Sequence, residues 1–369
     1  MVCFHPIKAF YPLKTTSDGK RYLLFGRRRY LEQFTSHIPE PILKDLKSIY
    51  NGSNMYDDPI NFPIYYDIDG NEKGYNIKVP CGKCIGCRLD YSRNWATRSV
   101  HEAFMYEHYK DCAFVTLTFN DDMLYRRSNP HSLNKTAFRS WIKRLRKAVY
   151  ANYGKEFRIM CCGEYGAKHK RPHYHMLIYG FNFPDKKVFN YRRIHGKDVL
   201  YYRSPFLEDI WRPAYSSDSF GYSVLGEVTF ESSAYVARYV TKKLFGAVAE
   251  KVYKDIEPEF LITSRRKGLG YNYLLQYYKN IFELGYVMLP NGHKAPIPRY
   301  YVNCLKDIDE DLYTKYRIDC QSKMYDNLFV DSLDESIERL KCREELKLMK
   351  LDILKRQYEI TSQFLHNIH

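Results

Sequence analysis

No stretch of this chain approaches the ~20 consecutive apolar residues of a membrane-spanning helix, so no helical membrane span is expected. The start, Met1-Val2-Cys3-Phe4-His5-Pro6, lacks a basic segment followed by an apolar signal core. A cytoplasmic protein is expected, and its 10 Cys are then not a disulfide framework. Internal repeats and low-complexity tracts are also missing, which leaves ordinary globular architecture. Acidic residues are the last shortage: 43 Asp+Glu stand against 58 Lys+Arg, a formal net charge of +15.

Aromatic residues are plentiful, with 36 Tyr and 21 Phe. Excess positive charge with many rings suits nucleic acid, since cations meet phosphates and rings stack on unpaired bases. The bland alternative is a basic protein whose charge only aids solubility. A chain of 369 residues has room for two or three domains.

The chain pivots on Pro172-His173-Tyr174-His175-Met176-Leu177-Ile178. On a β-strand alternate residues share a face, so His173 and His175 project together and Tyr174 points away. Two imidazoles on one face make half of a divalent-metal site. Otherwise they are two polar residues on the wet side of a strand. The stretch 157–165 reads as the preceding strand, joined by the short basic loop Gly166-Ala167-Lys168-His169-Lys170-Arg171. Strands joined so closely pair antiparallel, which brings Glu164 towards both histidines. A carboxylate and two imidazoles with open positions suit Mg²⁺, Mn²⁺ or Zn²⁺ and a phosphate oxygen. Alternatively Glu164 pairs with a loop cation.

Upstream, the 1–80 region is irregular. Asp69-Gly70-Asn71 reads as the turn of a hairpin between 65–68 and 75–79. Cys81, Cys84 and Cys87 follow at C-x2-C-x2-C spacing with glycines between them, a pattern that suits structural zinc. The fourth ligand is assigned to Cys3, with Cys112 or a histidine as alternatives. Free thiols, a redox pair at Cys84 and Cys87, or an iron–sulfur cluster are the competing readings.

The region 88–110 reads as a helix with Arg88, Arg93 and Arg98 on its polar side, and 113–119 as a strand. A second helix spans 134–150. Its apolar stripe is Phe138, Trp141, Leu145 and Val149, and Arg139, Lys143, Arg144, Arg146 and Lys147 lie on a solvated or phosphate-tracking face. The pattern predicts a short helix at 205–211, a strand at 221–230, and a helix capped by Ser232 or Ser233 and ended by Gly246. On that last helix Val236, Val240 and Leu244 form the docking stripe. Tyr235, Tyr239 and Lys243 form the neighbouring one, beside Arg238 and Lys242. The tyrosines are either packing residues or nucleophiles. Thr263 to Tyr271, with Arg265, Arg266 and Lys267, is either a phosphate-contacting loop or a plain surface loop. Leu289 to Lys294 is a turn, and 333–358 reads as one charged helix with an interrupted heptad seam.

Metal and tyrosines together suggest one chemistry: a phenolate attacks phosphorus while the metal polarises the phosphodiester. Two tyrosines permit two successive attacks. Catalysis of this kind requires the phenols near the imidazoles, and a separation above ~15 Å would rule out a single site.

The motif at 172–178 resembles the His-hydrophobic-His motif of the HUH endonucleases. The Tyr235–Lys243 segment is similar to the two-tyrosine helix of microvirus replication initiators. Phe114 to Phe119 matches their first strand, and Glu164 stands where many HUH proteins carry a third metal ligand. The cysteine knuckle and the Pro296–Tyr301 segment are similar to the gokushovirus branch. The resemblance implies an α+β HUH fold, an antiparallel sheet flanked by helices and related to a ferredoxin-like topology. The cysteine knuckle lies in 1–90, the nuclease domain in 91–250, and a mostly helical, DNA-contacting extension in 251–369. It also implies rolling-circle initiation with origin DNA, single-stranded or melted, and Mg²⁺ or Mn²⁺. A 5′-phosphotyrosine intermediate, religation of circles, and a host helicase and replication machinery in the bacterial cytoplasm complete that picture. His173, His175 and Glu164 would hold metal, Tyr235 and Tyr239 would attack, and Lys242 and Lys243 would assist. Lys168, Lys170, Arg171, Arg238, Arg265, Arg266 and Lys267 would bind DNA. A plasmid relaxase or transposase of the same superfamily is the nearest alternative, though a helicase-type Gly-rich phosphate loop is missing. A non-catalytic zinc-dependent DNA-binding protein is the more distant one.

Overall fold

The structure, a computed structural model, describes residues 3–12, 24–25, 64–66, 72–166, 170–194, 197–238, 247–290, 292–334 and 336–350. The chain divides into a unit of Met1–Cys87 with Ile337–Leu348 and a larger unit built on Arg88–Ser336.

In the smaller unit, β1 (Ile7–Pro12), β2 (Leu24–Phe25), β3 (Ile64–Tyr66) and β4 (Glu72–Val79) form a sheet in the order β2-β1-β4-β3. The hairpin pairing expected from the sequence is present, with Ile64 opposite Tyr75 and Tyr66 opposite Glu72. Its turn residues, Asp69 to Asn71, lie outside the described residues. The cysteine run follows β4 directly.

In the larger unit seven strands make one antiparallel sheet. They are β5 (Cys112–Phe119), β6 (Arg158–Tyr165), β7 (Pro172–Tyr179), β8 (Lys187–Ile194), β9 (Lys197–Arg203), β10 (Gly221–Gly226) and β11 (Phe260–Thr263). Their order is β11-β6-β7-β5-β10-β9-β8. β7 is therefore flanked by β5 and β6, and its two-residue period sorts its side chains cleanly. Tyr174, Met176 and Ile178 enter the core on one face, with Val115, Leu117, Ile159 and Cys161 from the neighbouring strands. Leu177 and Tyr179 pack on the other face with Met160 and Cys162. His173 and His175 share this second face.

Helices cover both sides. α1 (Ile85–Phe104) and α5 (Phe230–Ala237) lie on the histidine face, where Ala103, Val236 and Ala237 join Leu177 and Tyr179. The opposite face carries α3 (Lys135–Tyr153), which follows the short helix α2 (Asp121–Tyr125). α3 buries Phe138, Trp141, Ile142, Leu145 and Val149, as its 3.6-residue period predicts. Asn134 caps its start by accepting from Ala137 N, and Gly154 ends it at φ 62°. The short α4 (Pro205–Ile210) lies at 205–211 as expected, capped by Ser204. α6 (Ala247–Val252) precedes β11. Beyond β11, α7 (Tyr271–Leu284), α8 (Arg299–Ile308) and α9 (Glu310–Asp334) make the C-terminal part mostly helical. Among the described residues no helix is long and apolar enough to cross a membrane.

Four sequence expectations need correction. α1 ends at Phe104 rather than near residue 110, because Glu107, His108 and Tyr109 all adopt positive φ. Arg98 does not sit on a solvated side: it is 8 % exposed and donates from Nε to Leu269 O at 3.0 Å. Its guanidinium also lies over the Trp95 and Tyr300 rings, 4.2 and 3.9 Å from their centroids. A third change concerns β10, which stops at Gly226; Phe230 opens α5 instead. Finally, 333–358 is not one helix. α9 ends at Asp334, Ser336 is non-helical, and a new helix runs over 337–350. Short polar side chains such as those of Asp334 and Ser336 compete for backbone hydrogen bonds and favour such breaks. Ile337 is consequently 69 % exposed while Leu340 is buried, so no continuous seam forms. Residues 351–358 lie outside the described residues.

Candidate active site

The β6–β7 register sets Glu164 directly opposite His173, and Cys162 opposite His175. On the other side β5 places Thr116 opposite His175 and Thr118 opposite His173. Three adjacent strands thus present Glu164, the two histidines and the two threonines to one face. His173, His175 and Glu164 are 8 %, 6 % and 3 % exposed.

Each imidazole is anchored through Nδ1. Thr116 Oγ1 lies 3.1 Å from His175 Nδ1, and Thr118 Oγ1 lies 3.1 Å from His173 Nδ1. A hydroxyl that accepts from Nδ1–H leaves the Nε2 lone pair for the site, which is how outer hydrogen bonds prepare a metal-ligating histidine. The sequence reading missed these threonines. Their signal was present: Thr116 and Thr118 repeat the two-residue spacing of the histidines one strand away. Tyr174, between the histidines, reaches the opposite face, where its ring stacks on Phe138 at 4.1 Å. Its hydroxyl accepts from Asn134 N at 3.1 Å, which pins the strand from behind.

α5 delivers Tyr235 to this face. Its cap is Thr229, not Ser232 or Ser233. Thr229 Oγ1 accepts from Ser232 N at 3.2 Å, and Ser232 Oγ accepts from Thr229 N at 2.8 Å. Ser233 is instead buried and accepts from Ser99 Oγ at 2.7 Å. Ser99 Oγ also meets Tyr179 Oη at 2.6 Å, so one hydroxyl chain joins α5, α1 and β7. Val236 and Ala237 dock completely.

The Tyr235 hydroxyl donates to Glu164 Oε1 at 2.6 Å and lies 3.4 Å from His175 Nε2. His175 Nε2 is itself 3.3 Å from Glu164 Oε1. The Tyr235 ring meets the His175 ring edge-on at 4.9 Å, and Phe114 flanks both. Burial raises the Tyr235 pKa well above the phenol range, helped by the charge and hydrogen bond of Glu164, while Arg238 acts the other way. His173 lies further along the strand, its ring centroid 6.4 Å from that of His175. Gly166 covers it closely: a Cβ there would come 2.9 Å from His173 Nε2.

The other expected site residues separate. Tyr239, Lys242, Lys243 and Lys168 lie outside the described residues. Arg238 ends α5 beside Tyr235. Arg171 is engaged, donating to Phe119 O at 3.0 Å and pairing with Asp121. Lys170 is exposed at φ 50°. Arg265, Arg266 and Lys267 are exposed after β11, where Ser264 N donates to Ile159 O. That is the far end of β6 from Glu164, about 17 Å away along the strand at ~3.4 Å per residue.

A second group is independent of these. The sulfurs of Cys3, Cys81, Cys84 and Cys87 all lie within 4.8 Å of one another. Cys112 is elsewhere, packed in the sheet core. Backbone N–H groups point at the sulfurs: Phe4 N to Cys84, Cys81 N to Cys3, and Lys83 N and Cys84 N to Cys81, at 3.2–3.4 Å. Burial resists ionisation of Cys84, but backbone and thiol hydrogen bonds bring its pKa down to about 7. Burial holds Cys3 and Cys87 up. Four thiolates cannot share this space without a cation, and a tetrahedral ion removes the conflict. The donor set therefore fits zinc.

The geometry defines a sheet face on which a tyrosine, a carboxylate and imidazoles meet in a strongly basic protein. The family model for replication-associated proteins of the ORF2 type matches residues 112–244, the span that holds all of them. The chain is 37 % identical over 246 residues to replication-associated protein VP4 of Bdellovibrio phage phiMH2K, covering 65 % of this chain and 71 % of that one. It is 27 % identical over 316 residues to replication-associated protein ORF4 of Chlamydia phage 1, covering 82 % and 71 %. It is 29 % identical over 272 residues to replication-associated protein ORF2 of Spiroplasma virus 4, covering 70 % and 79 %. The chain belongs to this family of phage replication-associated proteins. No solved structure matches it.

Proposed function

We propose that the protein is an HUH-type tyrosine endonuclease that starts rolling-circle replication by nicking single-stranded or melted origin DNA. The observation that carries this reading is the 2.6 Å hydrogen bond from Tyr235 to Glu164, with His175 Nε2 3.4 Å from the same phenol oxygen. Tyr235 Oη attacks the scissile phosphorus and the P–O3′ bond breaks. The products are a 5′-phosphotyrosine and a free 3′-hydroxyl that takes up a proton. Glu164 is the nearest base to the phenol proton. Attack by the freed 3′-hydroxyl on the phosphotyrosine reverses the step and closes a circle. Glu164, His175 and His173, each imidazole steadied by its threonine, would hold Mg²⁺ or Mn²⁺, which neutralises charge developing on the phosphate. Tyr239 is assigned the second attack, and Lys242 and Lys243 its electrostatic support. The Cys3–Cys81–Cys84–Cys87 set is assigned structural zinc. A host helicase and polymerase, in the host cytoplasm, are the partners this role requires. The phage relatives favour an initiator over a relaxase or transposase.

The test is incubation with an origin-bearing single strand and Mn²⁺, followed by a denaturing gel. A covalent protein–DNA band is expected from the wild type and none from Tyr235→Phe with Tyr239→Phe. An undiminished band from the double variant removes the tyrosines from the reaction.

A further inference from the structure

α3 lies on the sheet face opposite Tyr235, and nothing in the nicking reaction uses it. It carries Lys135, Arg139, Lys143, Arg144, Arg146 and Lys147 and has no Asp or Glu. Arg139, Lys143, Arg146 and Lys147 are exposed. Among the described residues no carboxylate pairs with Arg139, Lys143 or Lys147, whereas Arg126, Lys155, Arg203 and Arg212 all have carboxylate partners. A helix that needed only solubility would mix both signs, because i,i+4 pairs of opposite charge stabilise it and like charges destabilise it. Arg139, Lys143 and Lys147 are spaced i, i+4, i+8, one above another at ~6 Å steps. The helix is held firmly beneath them, since its other side buries two aromatic rings and three aliphatic side chains.

The stripe extends beyond the helix. Arg146 Nη2 reaches Ser264 Oγ at 3.5 Å, which joins α3 to the exposed Arg265, Arg266 and Lys267 that the geometry kept away from Glu164. At the other side Arg144 donates to Arg212 O at 2.5 Å. A rigid, single-signed surface more than one helix wide matches a ligand whose charge is regular and extended. Double-stranded DNA carries one negative charge per ~1.7 Å of axis.

We infer that the exposed face of α3, continued by Arg265–Lys267, is a second DNA surface that holds the phosphate backbone of duplex DNA on the side of the sheet away from the nicking site. The inference adds to the DNA-nicking reading and rests on it only for DNA being the substrate. Such a surface keeps the protein on double-stranded DNA beside the origin while the melted strand occupies the Tyr235 face.

The test measures duplex binding without divalent metal, so that nicking does not enter. Arg139→Gln, Lys143→Gln and Lys147→Gln are combined, since glutamine keeps helix propensity. Far-UV circular dichroism and the melting temperature verify the fold. A control combines Lys306→Gln, Lys315→Gln and Arg317→Gln, which removes equal charge from exposed positions on α8 and α9. The α3 variant is expected to bind a 30-base-pair duplex roughly tenfold more weakly at 0.1 M salt, with a salt slope smaller by about 2.7 for three lost phosphate contacts. The control is expected to change the slope by less than one. Equal effects from both variants, or an unchanged slope in the α3 variant, overturn the inference. Loss of binding to anionic lipid vesicles with duplex binding intact also overturns it. A wild type that binds duplex in this way but forms no covalent adduct would remove the nicking reading instead.

Discussion

His101 shows how far burial changes a residue's chemistry. It is 2 % exposed on α1, with Nε2 3.0 Å from Met288 O and Nδ1 2.9 Å from Tyr301 Oη. The carbonyl can only accept, so Nε2 carries the proton and Nδ1 accepts from the tyrosine. The ring is held neutral, and burial brings its pKa down from 6.5 to about 4. The folded state thus resists protonation. The stabilising effect is complete above pH 6.5 and is lost as pH falls from 6.5 to about 4, a total of about 3 kcal/mol. Urea denaturation of wild type and His101→Gln between pH 7 and 4 checks this. The wild type should lose more stability than the variant, and parallel pH profiles would contradict the assignment. The threonine-anchored pair His173 and His175 is a different case, built to leave Nε2 available.

At the scale of elements, legibility followed the environment of each face. α3 was readable because only one of its sides is buried, so its apolar residues recur at helical spacing. α1 was misread because residues 96–103 are all buried, with the sheet on one side and Tyr273, Tyr300 and Tyr301 on the other. Such a helix has no polar face to find. α5 was placed correctly, but its start was read from the wrong hydroxyl. Thr229 and Ser232 exchange two hydrogen bonds, and only the backbone conformation tells which of them precedes the first turn. Thr229→Ala should lower stability by about 1 kcal/mol in denaturant titrations. Thr229→Ser should restore it, and a Thr229→Ala protein as stable as wild type would show that the cap is dispensable.

For the whole molecule, the cysteine tetrad is the long-range constraint to test. Cys81 N donates to the Cys3 sulfur across 78 positions of sequence. A bound ion would close that loop, and chain closure of this length removes much entropy from the unfolded state. Purified protein should hold one equivalent of zinc, and Cys84→Ser and Cys3→Ser should each hold much less by elemental analysis. A chelator should lower the melting temperature of the wild type only. One equivalent in all three proteins would refute the tetrad.

Local periodicity in the sequence determined the alternation of His173 and His175, the antiparallel approach of Glu164, the amphipathic α3 and the glycine-spaced cysteines. Each depends on residues a few positions apart, where strand and helix geometry leave little choice. Tertiary structure alone decided the rest. It paired Thr116 and Thr118 with the histidines, brought Tyr235 to hydrogen-bonding distance of Glu164, chose Cys3 over Cys112 and buried Arg98. It also moved Arg265–Lys267 from the expected site to the border of α3. These depend on which distant segments meet, and such contacts are set by packing of the whole core rather than by any local pattern.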